Sequence, residues 1–310
     1  MKRTHVVACL AGDGLGPELM AEASRALHAL SGLHGFRVRD VHVPFGTEAL
    51  TRAGHRLPVS TRSAYLEADA ILVAAEDPAL EDVESELDLR ACVLRVRFAG
   101  GGFALVSPLS DEACEWTVER AFEIARSSRA RLASVDAGRQ WRDLVDGVAE
   151  RYDAVLVDHL TVAEGLPALA FEPERFDVLV TGPLFADALE GIAATLEREA
   201  RVVARGRLAA SGPGVFAPVQ GDPPDAAGQG VADPSSMLLA VSLMLAEGLG
   251  ERAAAETLAG AITAARIRGA TPRLPVWRRP AATTREFADA VLAMVPGSVR
   301  NAEFLGGVHP

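Results

Sequence analysis

Runs of small and branched apolar residues alternate along the chain with segments in which apolar residues recur at helical spacing. The runs predict strands that are buried on both faces, as in parallel sheets. They lie at residues 4–12, 69–75, 130–138, 153–160 and 176–183. Helical spacing predicts helices at 17–30, 115–128, 141–152, 235–249, 253–267 and 283–295. This repeated alternation of helix and strand is typical of an α/β fold.

Residues that favour helix ends support these boundaries. Ser235 and either Thr283 or Thr284 are suited to cap the amino ends of two late helices. The stretch LFADALEG (184–191) has the pattern of a helix's opening turns. We expect the weakly periodic segment 296–310 to form a surface tail.

Composition and charge exclude several classes of protein. The 310 residues are 49% hydrophobic, which is enough for one large core or two smaller ones. A formal net charge of -11 argues against a nucleic-acid partner, because such binding depends on clustered Lys and Arg. The longest apolar run, 237–246, is about half a membrane span. We therefore expect a protein that contacts neither nucleic acid nor membrane.

Three residue types limit the compartment and the chemistry. The three cysteines show no CxxC spacing, which fits a reducing cytoplasm and implies no structural zinc. Asp13 interrupts the first apolar run too early for a signal peptide. Lys2 is the only lysine, and Tyr65 and Tyr152 are the only tyrosines. A mechanism that needs a lysine in the core or a third tyrosine is therefore excluded.

Two glycine-rich loops are candidates for binding an anion. The first, AGDGLGPE (11–18), joins a predicted strand to a helix, so its backbone N–H groups could face a phosphate. Its glycines are Gly12, Gly14 and Gly16. A tight turn without a ligand remains the other interpretation. The second loop, 217–236, is long, rich in Gly and Pro, and leads into a helix, which is typical of a functional loop.

Six segments together resemble one family. In chain order they are GDGLGPE (12–18), LDLR (87–90), WRDLV (141–145), RFDVLVTGPLFADAL (175–189), PVQGDPPDAAGQGVADPSSMLLAVSLML (218–245) and TTREFADAVL (283–292). They resemble the isocitrate and 3-isopropylmalate dehydrogenase family of β-decarboxylating dehydrogenases, and the 3-isopropylmalate branch most. The resemblance covers the chain except for 98–115 and the carboxyl-terminal end.

The resemblance implies an α/β, isopropylmalate-dehydrogenase-like two-domain fold with a cleft between the domains. The first domain would combine 1–97 with 210–310 and carry the nucleotide loops. The second, 98–209, would form half of the cleft and the contact of a homodimer. Because the segment near 93–115 is short, the arm that strengthens the family's dimer is expected to be trimmed or absent.

The family's reaction uses a divalent cation, several arginines, a lysine and a tyrosine. Matched residue by residue, the lysine position holds Ala137, and the tyrosine position holds Ala104 if 93–104 is the corresponding strand and loop. Of the three metal-binding carboxylates, the resemblance keeps Asp187 and replaces the others with Ala163 and Gly191. We therefore expect no Mg²⁺ site of the family type.

Neighbouring groups do not restore the pattern. Glu164 and Glu190 each lie one residue from a missing carboxylate, and a one-residue shift turns a helical side chain by about 100°. Arg97 matches one of the family's three substrate arginines. In an alternative register, 88–97 matches a different family segment and Leu94 replaces an arginine.

The remaining candidates for a remodelled site are Arg97, Arg139, His159 and Asp187. His159 and the adjacent Asp158 could form an acid/base pair. Because His159 matches a family histidine at the end of the same strand, a structural role for it is also open.

The nucleotide side of the family pattern is better retained. The resemblance places Gln220, Gly221, Asp225 and Asp233 in a loop around the adenosine half of NAD. A carboxylate at Asp225 favours NAD over NADP, because it would repel a 2′-phosphate. Gln220 replaces a histidine, and Asp233 replaces an asparagine near the adenine. Retained binding of NAD or another adenosine ligand and a packed structural loop both stay open.

The leading hypothesis is a pseudoenzyme of this family with a binding or regulatory role. Its partner would be an active relative or a pathway enzyme. The first alternative is an NAD-dependent dehydrogenase or a lyase with metal-free chemistry on a small carboxylic acid. The second is a working family dehydrogenase whose matching positions lie elsewhere in the chain.

Overall fold

The computed structural model describes residues 3–136, 138–195, 202–220, 227–268 and 282–296. The strands are β1 (Thr4–Leu10), β2 (Arg37–Val43), β3 (Ala70–Val73), β4 (Leu89–Phe98), β5 (Gly101–Pro108), β6 (Arg131–Val135), β7 (Leu156–Leu160), β8 (Val178–Thr181), β9 (Val202–Ala209) and β10 (Gly214–Pro218). The helices are α1 (Gly16–His34), α2 (Thr47–Ala53), α3 (Val59–Leu66), α4 (Ala79–Ser85), α5 (Cys114–Arg126), α6 (Arg139–Ala149), α7 (Val162–Phe171), α8 (Pro183–Thr195), α9 (Ser235–Leu243), α10 (Arg252–Ile267) and α11 (Thr284–Ala293). The predicted α/β class is confirmed.

The chain divides into two compact units, Met1–Leu87 with Gly212–Pro310, and Asp88–Ser211. The first boundary therefore lies earlier than the predicted residue 97. β4 pairs with β5 along one edge and with β9 along the other, so its hydrogen bonds attach it to the second unit.

The first unit is built around parallel strands in the order β2-β1-β3-β10. Its central helix is α9, in which every residue from Ser235 to Leu243 is buried. This burial explains the long apolar run of the sequence, because a helix surrounded by protein needs no polar face. A π-helical turn, Met244–Gly248, follows it. There a Cβ on Gly248 would lie 2.8 Å from the Phe216 ring, so only glycine allows this packing.

The second unit has the strand order β9-β4-β5-β8-β6-β7. β4 is antiparallel to both of its neighbours, whereas β5, β8, β6 and β7 run parallel to one another. Trp141 of α6 donates to Ser134, and Gly165 of α7 packs on Val135. Because adjacent strand residues point to opposite faces, α6 and α7 cover opposite sides of this sheet.

Most predicted elements are present, with shifted ends. Helix α11 begins with the predicted cap, since the Thr283 hydroxyl accepts from the Glu286 N–H and the Glu286 carboxylate accepts from the Thr283 N–H. Pro234, not Ser235, is the residue that precedes α9. The predicted tail lies outside the described residues after 296. None of the described helices is long and apolar enough to span a membrane.

Candidate functional site

The first glycine loop of the first unit is shaped by its own backbone. Gly12 and Gly14 have positive φ angles of 69° and 59°, which L-residues rarely adopt. A Cβ on Gly16 would fall 1.9 Å from the carbonyl oxygen of Ala11, and one on Gly12 would fall 3.1 Å from Ala75. Tight packing therefore accounts for Gly12 and Gly16 without a ligand.

Asp13 ties this loop to helix α2. Its carboxylate accepts a hydrogen bond of 3.0 Å from the backbone N–H of Thr47. Burial alone would raise the pKa of Asp13, but hydrogen bonds from Thr47 and Glu48 and the positive charge of Arg56 hold it below the usual 3.8. The loop is thus held in one conformation by an ionised side chain.

Glu18, in the first turn of α1, organises the second loop, and sequence analysis missed it. Its two carboxylate oxygens each lie 3.1 Å from a backbone nitrogen, those of Gly230 and Ala232. One of them also lies 3.2 Å from the Thr284 hydroxyl. One carboxylate therefore joins the start of α1, the end of the second loop and the start of α11. An acidic residue in a helix's first turn was the available signal, and it does not identify partners so distant in sequence.

Asp233 and Gln220 are the predicted loop residues that the structure describes. Asp233 accepts a 2.9 Å bond from the Ser235 N–H at the start of α9. Its other oxygen forms a 2.9 Å ion pair with Arg266 of α10. Both oxygens of Asp233 therefore have protein partners. Gln220 lies half-buried just after β10.

Gly221 and Asp225 lie outside the described residues. Their predicted roles in binding the nucleotide therefore stay predictions.

The carboxyl ends of the parallel strands in the second unit form a topological switch point. The chain leaves β6 toward β7 and leaves β8 toward β9, through helices on opposite faces of the sheet. Asp136 lies between these two strand ends and accepts a 2.6 Å bond from the Gly138 N–H. A Cβ on Gly182 would lie 2.7 Å from the other Asp136 oxygen and 3.4 Å from the Trp141 ring. The chain's own side chains thus fill the base of this crevice.

The positions matched to the family's metal ligands do not fit a magnesium ion. Asp187 is exposed on α8, and Ala163 and Gly191 are exposed on α7 and α8. Neither alanine nor glycine has a side-chain oxygen, which Mg²⁺ requires of its ligands. Among the described residues, no group of three or more His, Cys, Asp or Glu could hold a metal ion.

The two neighbouring carboxylates have structural partners instead. Glu164 accepts from the Thr161 N–H at 2.9 Å and forms a capping box at the start of α7. Glu190 accepts a 2.8 Å bond from the hydroxyl of Ser107 on β5.

The candidates for a remodelled site are on separate elements of the second unit. Arg139 is exposed at the start of α6, and Arg97 is half-buried on β4 opposite Gly102. His159 lies 2.9 Å from Asp146 of α6. Asp158 points to the opposite face of β7, so it is Asp146 that pairs with the histidine.

The shortened middle segment forms the hairpin of β4 and β5. Ala104 is fully buried within β5. Leu94 is buried between Leu105 of β5 and Arg205 of β9, its directly opposite partners.

Comparison with known proteins is consistent across sequence and structure. A model of the isocitrate/isopropylmalate dehydrogenase family matches residues 6–110 and 101–291. The 3-isopropylmalate dehydrogenase of Synechococcus sp. (strain CC9605) is 33% identical over 84% of this chain and 90% of its own. That of Prochlorococcus marinus (strain MIT 9313) is 34% identical over the same shares.

Two solved structures have similar folds. The apo form of a β-decarboxylating dehydrogenase from Thermococcus kodakarensis has a TM-score of 0.78, 21% identity and full coverage of both chains. An isocitrate dehydrogenase from Methylococcus capsulatus has a TM-score of 0.74 and 22% identity over 94% of this chain and 99% of its own. The chain belongs to the isocitrate/isopropylmalate dehydrogenase family.

Proposed function

We propose that this family member binds a nucleotide and does not catalyse metal-dependent oxidative decarboxylation. It acts in the cytoplasm by binding, as a regulator or partner of an active relative or a pathway enzyme. NAD is the expected nucleotide, because a carboxylate at Asp225 disfavours a 2′-phosphate.

The composition of the chain carries this proposal. The single lysine is Lys2, which comes before β1 in the sequence. The two tyrosines, Tyr65 and Tyr152, both pack against other residues of the chain. Tyr65 is fully buried in the first unit, and its hydroxyl lies 2.5 Å from Glu86. Tyr152 stacks on Phe122 with ring centroids 5.1 Å apart. These contacts support structural roles for both tyrosines.

The electrostatics of Tyr65 agree with a structural role. Burial and the adjacent Glu86 carboxylate raise its pKa well above 10. Because the raised pKa keeps this phenol protonated near neutral pH, it remains a hydrogen-bond donor to Glu86. It is poorly suited to exchanging protons near neutral pH.

Retained nucleotide binding is supported by the order that Glu18 imposes on the second loop. Gly230 to Ala232, near the end of the loop, are held by a carboxylate on α1 and by the Thr284 N–H, which donates to the Gly230 carbonyl at 2.9 Å. A loop held at its end binds a ligand with less loss of conformational entropy than a free one. This order therefore favours binding of a ligand that fits the loop in the conformation it already has.

A homodimer is the proposed assembly, with a second copy of this chain covering α7 and α8. Exposed residues on α7 recur four apart, at Ala163, Pro167 and Phe171. The two helices contact each other, and α8 exposes Leu184 near its start. Phe171 and Leu184 are each 83% exposed. Apolar side chains that recur along two adjoining helices are typical of a surface that another helical surface covers.

The names of the relatives favour a second candidate, an ordinary 3-isopropylmalate dehydrogenase. One experiment separates it from the proposal. The purified chain is titrated with NAD in a calorimeter, and NADH formation is then followed with 3-isopropylmalate, with and without Mg²⁺. The Synechococcus relative serves as the positive control.

The proposal predicts heat of NAD binding and no NADH under either condition. Mg²⁺-dependent NADH would establish the dehydrogenase, and NADH without Mg²⁺ would establish the metal-free alternative. No NAD binding would contradict the nucleotide-binding role.

A further inference from the structure

A pocket of about 300 Å³ opens at the amino ends of three parallel strands of the second unit. It is lined by the first residues of β6 and β7 and by the segment that leads into β8, which are residues 131–133, 156–158 and 175–178. The pocket is therefore at the opposite end of these strands from Asp136 and its crevice. Its volume is at the lower end of the range for small-molecule sites.

Arg131 and Asp158 of this lining lie on the same face of the sheet. Val135 packs on Gly165 of α7, and Arg131 is four residues earlier on the same strand, so it points to the α7 side. Leu156 is aligned with Arg131 in the parallel register, and Asp158 is two residues further along β7. Leu156 and Asp158 therefore also point to the α7 side. The strand spacing and rise put the Cα atoms of Arg131 and Asp158 about 8 Å apart.

These two opposite charges do not pair with each other. The Arg131 backbone N–H donates to Asp177 at 3.3 Å, but its guanidinium group has no hydrogen bond or ion pair within the part of the chain that the structure describes. The Asp158 side chain is 66% exposed and forms an ion pair with Arg175 at 3.9 Å, which is too long for a hydrogen bond. Both groups can therefore accept a further partner.

The other charged residues of the lining have closer partners of their own. Asp177 is 4% exposed, and its carboxylate accepts bonds of 2.6 Å from the Ser128 hydroxyl and 2.9 Å from the Arg129 N–H. Arg175 forms a second ion pair, of 3.8 Å, with Glu172. A ligand in the pocket would thus meet one unpaired cation and one loosely paired carboxylate.

Leu156 adds an apolar surface beside these two charges. Its side chain is on the same face and is 71% exposed. Covering it with an apolar group removes that surface from water, which favours binding. The pocket therefore presents a cation, an anion and an apolar contact within the reach of one small molecule.

We propose that this pocket binds a small zwitterion, an α-amino acid with an apolar side chain. Its carboxylate accepts from the Arg131 guanidinium, whose planar fork matches a carboxylate in bidentate geometry. Its ammonium group donates to Asp158, and its side chain covers Leu156. The ligand thus supplies both of the partners that Arg131 and Asp158 do not give each other. This inference goes beyond the proposed nucleotide binding, because the nucleotide loops belong to the first unit.

Ligand-observed NMR titration without NAD or metal tests the inference. L-phenylalanine and L-valine are the probes. Phenylpropionate lacks the ammonium group of phenylalanine, and phenethylamine lacks its carboxylate, so both are matched control ligands. We expect wild type to bind both amino acids and to bind each control ligand at least about tenfold more weakly, because a charge-assisted hydrogen bond is lost.

Two variants test the assigned residues. Arg131→Met and Asp158→Asn should each weaken binding of the amino acids at least about tenfold. Arg142→Met and Asp143→Asn are the matched controls, because both residues are exposed on α6, which covers the opposite face, and they should bind as wild type does.

Three results would overturn the inference. They are no binding of either amino acid by wild type, control ligands that bind as tightly as phenylalanine, and pocket variants that bind like the α6 controls. Folding of each variant is checked by circular dichroism. Because the comparison of ligands uses wild-type protein, it decides the inference even if a variant does not fold.

Discussion

Replacing Glu18 with alanine should release the end of the second glycine loop. The carboxylate lies within hydrogen-bond distance of two backbone N–H groups, of Gly230 and Ala232, and of the Thr284 hydroxyl. Alanine leaves both N–H groups without this acceptor in a partly buried location. The change therefore acts on the loop's conformation, although the mutated residue is on a helix.

The expected cost follows from these contacts. A hydrogen bond to a charged group contributes about 1.5–3 kcal/mol, and losses within one network do not add fully. We expect Glu18→Ala to lower the free energy of local opening by about 3 kcal/mol. Since about 1.4 kcal/mol corresponds to a factor of ten, this is about 100-fold faster amide exchange. Glu18→Gln retains one acceptor oxygen and should have an intermediate effect.

Hydrogen exchange measured by mass spectrometry on peptides covering 227–235 and 282–290 checks this prediction. Glu48→Ala is the control, because Glu48 is half-exposed on α2 and pairs with Arg52 of the same helix at 2.7 Å. Such surface pairs contribute about 0.3–0.5 kcal/mol, so exchange in both peptides should be unchanged.

The affinity for NAD should stay close to that of wild type as long as the loop is ordered most of the time, because affinity scales with the ordered fraction of the loop, whereas exchange scales with the open fraction. A folded Glu18→Ala variant with wild-type exchange in 227–235 would refute the role given to this carboxylate. An equal acceleration in Glu48→Ala would refute its specificity.

Three further predictions concern packing, pH and assembly. Gly165→Ala would place a Cβ 2.6 Å from a methyl group of Val135, so it should lower the free energy of unfolding, measured with urea, by about 1–3 kcal/mol. Gly147 has open space around it, so Gly147→Ala should instead stabilise its helix by up to about 1 kcal/mol. Burial would raise the pKa of Asp40, but hydrogen bonds from two histidines and a serine lower it. The ionised Asp40 therefore stabilises the folded state above its usual pKa of 3.8, and this stabilisation is lost as the pH falls through the lower pKa of the folded state. The difference in free energy of unfolding between wild type and Asp40→Asn should shrink only in that acidic range. Leu184→Glu should convert a dimer into a monomer by light scattering, and a wild-type monomer would contradict the proposed dimer.

The sequence predicted best the elements whose burial is uniform. β3 and β8 are buried at every position and appear as short apolar runs. β2 was missed because it alternates exposed and half-buried residues at the end of its unit's strand order. β9 was missed because Arg205, Gly206 and Arg207 interrupt its apolar character. Arg205 and Arg207, which interrupt the apolar run, also make one face of β9 charged.

The candidate site was only partly predictable, for a different reason. Matching the sequence to a family position by position detects a replaced side chain such as Gly191, because such a replacement can be seen at a single position. Glu18 is separated from Gly230 by 212 residues and from Thr284 by 266, so only the fold brings these groups together. No sequence pattern predicts the pairing of Asp233 with Arg266 either, because it depends on how α9 packs against α10.

A stoichiometric turnover measurement tests the central claim most directly. The purified chain, in molar excess over 3-isopropylmalate, is incubated with NAD and Mg²⁺, and the NADH formed is counted against the substrate added. The account predicts no NADH beyond that of a reaction without protein, since the chain has no lysine or free phenol at the matching positions. One NADH for each 3-isopropylmalate would contradict it.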